Sequence, residues 1–189
     1  TNFPQCFRDG RVIPKSGFDC VNWGGYNRVP MIIGSNKSEF SNVSYQSMRR
    51  MLTKNPKTFK NRKQFYNLLK KAKKYGCQLQ SSFYLEKVAS KYCTDPYHSP
   101  VYTYRFCWGE DKKVAGTDYA KYVGAIHGMD VDFLLGRFIK GEAVTSSHIY
   151  NKSNAKGRRA LSSRMRQYLK NFLYTGNPNG TDASGTKLE

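Results

Sequence analysis

Two strand-like stretches, 29–33 and 101–108, are all that 189 residues offer. That scarcity limits the fold more than any other feature. The first stretch, Val29-Pro30-Met31-Ile32-Ile33, is an apolar run opened by Pro30 and closed by Gly34. Such a run reads as a strand buried on both faces of a parallel sheet, where proline is tolerated at the first residues. The second, VYTYRFCW, is β-branched and aromatic and also reads as a strand. Between them, helical patterns cover 45–52, 58–75 and 79–92, with Gly76 as the stop of the middle one. Residues 1–27 read as loop, with turn signals at Asp9-Gly10 and Gly24-Gly25. No periodicity marks 109–126, and loops that long in compact domains often carry function. Leu161, Met165, Tyr168, Leu169, Phe172 and Leu173 then form the stripe of an amphipathic helix, ended by Gly176 and Pro178. Strand, helices, strand, loop, helix is the order of an α/β layer protein. Two strands are too few for a self-standing sheet, so part of the fold is expected to come from elsewhere.

Composition sets the outer bounds. Apolar residues make up 39% of the chain and aromatic ones 14%, which suits a packed core and excludes a disordered chain. No apolar run approaches the ~20 residues that span a bilayer. The opening TNFPQCFRDG lacks the basic-then-apolar pattern of a signal peptide, and residue 1 reads as a processed or engineered terminus. Five cysteines occur without zinc-site or C-x-x-C spacing, so no metal is expected, and no cofactor either. Cys6 and Cys20 could close a loop. Sequons at Asn36, Asn42, Asn151 and Asn179 arise easily in such a sequence. The compartment stays open, with secretion or a periplasmic location favoured over the cytoplasm.

The net charge of +19, from 32 Lys+Arg against 13 Asp+Glu, favours an anionic partner. Nine basic residues and no acid lie between Lys54 and Lys74, with Phe59, Phe65 and Tyr66 interleaved. One reading is a nucleic-acid-binding protein, with lysines on phosphate and rings stacked on bases. The other, which we favour, is a solvated helix face whose aromatics enter the core. No zinc finger, RNA-recognition signature or helix-turn-helix wording accompanies the run.

Two residues are candidates for chemistry. Glu39 stands on the loop after the first strand, where α/β proteins build sites. His127 sits in YVGAIHGMDVDFLLG, between Gly124 and Gly128. An imidazole can take a proton and return it near neutrality, and a carboxylate on its other nitrogen fixes the tautomer. In α/β-hydrolases the acid precedes the histidine in the chain, as Glu39 precedes His127. By position alone, a solvated loop carboxylate and an ordinary loop histidine are the simpler readings. His98 and His148 have no comparable setting and read as surface residues.

The wording of four segments goes further. YNRVPMIIGSNKSEF resembles the stretch of type-B carboxylesterases, the cholinesterase-like family, that carries their acidic triad member in a VP…GxNxDE pattern. Glu39 stands at the acid's place, Ser38 where Asp is common, and Phe40 where Gly is common. GAIHGMDVDFLLG resembles that family's histidine segment, matching at Gly124, His127, Gly128, Asp130, Asp132, Phe133 and Gly136. MRQYLKNFLYTGNPNG and RDGRVIPKSGFD are similar to its late helix and to its DGxxIP stretch. The resemblance implies an α/β-hydrolase fold, of which residues 1–180 are the C-terminal portion, with 181–189 a polar tail or cloning scar. It implies a serine carboxylesterase in which Glu39 and His127 are two members of a Ser-Glu-His triad. The family's nucleophile lies on G-x-S-x-G, a motif this sequence does not contain. The serine and the oxyanion hole are therefore expected from an N-terminal esterase chain, and the substrate is a small carboxylic ester. A catalytically inactive, cholinesterase-like binding domain is the third reading, against which both visible triad members are intact.

Overall fold

The computed structural model of the chain describes residues 7–54, 61–138, 149–182 and 184–188. Strands β1 (Met31–Asn36) and β2 (Val101–Phe106) pair in parallel, from Met31 opposite Val101 to Asn36 opposite Phe106. Parallel strands need a long crossover. Here it is helical: α1 (Ser41–Lys54), α2 (Arg62–Ser81), a π-helical turn Ser82–Glu86, and α3 (Lys87–Tyr92). The result is a mixed helix-strand chain with a small parallel sheet, compatible with part of an α/β fold.

Two glycines read as stops are not stops. β1 continues through Gly34 to Asn36, and the reason lies on its neighbour. Gly34 faces Tyr104, and a Cβ at position 34 would stand 2.0 Å from two ring atoms of that tyrosine. The bare strand lets the ring lie across it and carries its hydroxyl to Asp130, 2.6 Å away. We expect Gly34→Ala to displace the ring at a cost of roughly 1–3 kcal/mol, the range for overpacking. Thermal unfolding of the variant beside the parent measures it. Gly76, likewise, lies within α2, which leads through the π turn into α3, so the expected helices 58–75 and 79–92 join with no break at Gly76. A Cβ at Gly76 would meet Cδ1 of Phe40 at 2.2 Å, so the helix gives up a side chain there to admit that ring. Residues 58–60 lie outside the described residues.

The stretch 109–126, which shows no period, holds two short helices, α4 (Lys112–Ala115) and α5 (Thr117–Tyr122). Asp111 caps α4 by accepting from the Lys113 N–H at 2.8 Å, and Gly116 turns the chain between them. Each helix is too short to show a hydrophobic period. Gly17–Trp23, expected as loop, is a 3-10 helix. The amphipathic stripe forms α7 (Ala155–Thr175), which packs on α6 (Met129–Leu135). Phe133 of α6 is fully buried, and the rings of Phe106, Trp108, Phe138 and Tyr150 surround it. Beyond α7, β3 (Gly180–Thr181) and β4 (Lys187–Leu188) make a small antiparallel pair whose Leu188 is buried.

On α2, Lys63, Lys70, Lys71 and Lys74 are exposed. Phe65 is buried, and Tyr66 packs edge-on against it and tilted on Tyr122. These two rings thus turn inward, away from the lysines. Phe59, Cys6 and His148 lie outside the described residues, while His98 is exposed. Among the described residues no helix is long and apolar enough to cross a membrane, and no cluster of metal-ligating side chains occurs.

A buried acid anchors the approach to β1. Asp95, 2% exposed, accepts from Arg28 Nε at 2.7 Å, from the Tyr26 hydroxyl at 3.1 Å and from the Tyr97 N–H at 3.0 Å. The Arg28 hydrogen bond leads in holding its carboxyl down to about 2, against an ordinary 3.8. The unfolded chain therefore takes up this proton first on acidification. The stabilisation is complete above the ordinary value and is lost as pH falls through the folded one. We expect Arg28→Ala to flatten the stability curve in that window, read by thermal unfolding from about pH 5 down to about pH 2.

Candidate active site

The carboxyl ends of β1 and β2 open onto one place, and the loops that leave them are laced together. The Ser38 N–H donates to the Ala125 carbonyl at 2.9 Å. The Ser38 hydroxyl donates to Glu110 Oε1 at 2.6 Å, and the same oxygen accepts the Ala125 N–H at 2.8 Å. Ser41 Oγ reaches the Val123 carbonyl. Glu110 is itself held by Lys73 of α2, whose ammonium lies 3.4 Å from Oε2 and also donates to the Ala120 carbonyl. Ser38 is 1% exposed, so a carboxylate in its place would stand buried against that of Glu110. The departure from Asp at this position thus has a local reason. Gly124, at φ 74°, turns the chain toward the histidine, and a Cβ there would sit 2.0 Å from Glu110 Oε1. Only glycine meets both demands.

This lacing brings Glu39 and His127 together across 88 residues of sequence, with Nδ1 2.6 Å from Oε2. A carboxylate oxygen accepts, so the ring proton facing it sits on Nδ1, and in the neutral imidazole Nε2 then carries the lone pair. The second carboxylate oxygen, Oε1, accepts the Asn36 N–H at 2.8 Å. Both oxygens of Glu39 are therefore directed. Its side chain is 12% exposed while that of His127 is 79% exposed, so the acid is sheltered and the imidazole is presented outward.

Behind the pair lies a second carboxylate. Asp130 accepts from the Tyr104 hydroxyl at 2.6 Å and from the Asn36 amide at 3.0 Å. Burial first, and that hydrogen bond second, push the Tyr104 phenol above its ordinary range, so it stays a donor. Asp130 belongs to the histidine segment read in the sequence. Nothing in the sequence marks Tyr104, Glu110 and Lys73, because strand or helix spacing gives no sign that they converge on this spot. A cleft of about 650 Å³ lined by Cys107, Glu110, Lys112, Thr117 and Lys121 opens nearby, but neither Glu39 nor His127 lines it.

An acid and an imidazole joined at the carboxyl ends of parallel strands is a layout that α/β-hydrolases use for proton transfer. The model of the carboxylesterase family matches residues 92–188, just over half of the chain, and the chain belongs to that family. No curated protein matches it. The match supports an ester hydrolase at the general level. His127 lies within the matched span and Glu39 before it.

Proposed function

We propose that the chain supplies the acid and the base of a Ser-Glu-His triad in a serine carboxylesterase, and that an N-terminal esterase polypeptide brings the serine and the oxyanion hole. The observation that carries this is the 2.6 Å contact between His127 Nδ1 and Glu39 Oε2. The serine hydroxyl approaches the open Nε2 of His127. His127 takes its proton as the oxygen attacks the ester carbonyl, and then passes that proton to the departing alcohol. Glu39 keeps Nδ1 protonated and steadies the imidazolium while it exists. Water then attacks the acyl-enzyme as His127 takes its proton, and His127 returns that proton to the serine oxygen as the carboxylic acid departs.

The resemblance of four segments to type-B carboxylesterases supports this reading, as does membership of the family. Among the described residues the parallel sheet has two strands, fewer than the roughly 4–6 most common in sheets, which supports the need for further polypeptide. The test is hydrolysis of a short-chain p-nitrophenyl ester by the protein together with its co-purifying polypeptide. We expect turnover that an organophosphate blocks, with the phosphyl group found by mass spectrometry on a serine outside these 189 residues. An adduct on a serine of this chain, or no hydrolysis by the assembled material, overturns the proposal.

A further inference from the structure

Asn36 grips both halves of the candidate site at once. Its main-chain N–H donates to Glu39 Oε1 at 2.8 Å. Its side-chain amide donates to the Ile126 carbonyl at 2.6 Å and to Asp130 Oδ1 at 3.0 Å, residues that bracket His127. The orientation of the amide is set by chemistry, because a carbonyl and an ionised carboxylate both only accept, and only the NH₂ can face them. Asn36 is 2% exposed, so water does not compete for these bonds. Its position is set in turn by the last register pair of the sheet, opposite Phe106. His127 itself, largely exposed, has little packing to hold it. Its loop turns at Gly124 and Gly128, both at positive φ, a conformation that favours glycine. The Asn36 hydrogen bonds therefore act together with the Ser38, Ser41 and Glu110 contacts in placing the imidazole relative to the acid.

We propose that Asn36 is a positioning residue of the triad, its side-chain amide fixing the His127 loop at Ile126 and Asp130 while its main chain fixes Glu39. It touches neither substrate nor reacting atoms and acts through the two residues that do. Asn36 is also the first residue of an N-x-S sequon, Asn36-Lys37-Ser38. A glycan on that buried nitrogen would break at least one of its two bonds, so the folded site has no room for carbohydrate there.

The inference rests on the triad reading, and its test separates the two. Asn36→Leu keeps the bulk and removes both side-chain bonds. Asn36→Asp keeps the shape and sets an acceptor against two acceptors, which serves where the leucine variant does not fold. Neither touches the main-chain bond to Glu39. The first readout needs no substrate: the deshielded proton resonance of His127 Nδ1–H in the assembled protein, assigned by its loss in His127→Gln. We expect it in the parent, and broadened or lost in the Asn36 variants. The second is ester hydrolysis, where we expect kcat to fall on the order of 10²-fold, the scale of an ångström-sized misplacement, with KM nearly unchanged. An unchanged proton resonance in either folded variant overturns the role of Asn36 whether or not the protein hydrolyses esters. A parent without hydrolysis but with a resonance that depends on Asn36 overturns the esterase reading and leaves the positioning geometry standing.

Discussion

Glu39→Gln is expected to lower ester turnover by on the order of 10⁴-fold, the loss seen when the orienting acid of a serine triad becomes its amide. Glutamine fills the same space and can still receive the Asn36 N–H, so the loop has no steric reason to move. What changes is the proton. A neutral amide offers His127 either an oxygen or an NH₂ group, and the NH₂ would make Nδ1 an acceptor and place the ring proton on Nε2. The serine would then meet a donor where it needs a base. The lost charge also leaves the imidazolium without its counter-ion. His127→Ala removes the base itself, and its expected loss is larger, on the order of 10⁶-fold, as when a triad histidine is deleted. The double variant should be no slower than His127→Ala, because an orienting acid has nothing left to orient. Steady-state kinetics on a p-nitrophenyl ester, with the same assembled polypeptides for all three variants, reads this directly. Additive losses in the double variant would mean that Glu39 acts independently of the imidazole, and unchanged turnover in Glu39→Gln would remove it from the triad.

The sequence made some of this legible and hid the rest for identifiable reasons. The two strands are visible because apolar and β-branched runs mark them, and their parallel pairing agrees with the fully apolar pattern of the first. Glu39 and His127 are visible through segment wording, since nothing in a spacing of 88 residues tells two loops to meet. The ends of the elements are misread where glycine is involved. Gly34 and Gly76 look like terminators on local propensity, yet both serve a ring from elsewhere in the chain: Tyr104 in one case, Phe40 in the other. Tertiary approach overrides propensity at such points, and the partner ring lies too far along the chain for a local window to include it. The same distance hides the network behind the pair. Asn36 stands 94 residues from Asp130, and Ser38 stands 72 from Glu110. In the sequence Asn36 reads only as a sequon residue, and its two grips appear only once β1 and the histidine loop are side by side.

Phe133→Ala is expected to cost about 3–5 kcal/mol of stability, the range for deleting a buried phenyl ring and leaving its cavity partly unfilled. Its ring is fully buried. It meets Phe106 at the end of β2 at 4.9 Å, Trp108 just beyond at 5.2 Å, Phe138 at 5.0 Å and Tyr150 at 6.3 Å. Its carbonyl accepts the Ser162 hydroxyl of α7 at 2.7 Å, so the backbone at the same residue pins one helix to the other. The aromatic neighbours sit on separate elements, and they cannot all close on the space left by a deleted ring. Phe133→Leu, which keeps most of the volume, should cost far less, roughly 1.5 kcal/mol or below. Urea unfolding of both variants beside the parent separates a cavity from a lost side-chain shape. The consequence reaches the site, because Phe133 lies six residues along the chain from His127, on the helix whose first turn carries Asp130. A loosened α6 releases Asp130 from Tyr104 and Asn36, so Phe133→Ala should also broaden the His127 Nδ1–H resonance under conditions where the variant remains folded. A variant that loses 3–5 kcal/mol while that resonance stays sharp would show that Asn36 and the strand ends hold the imidazole without help from the core.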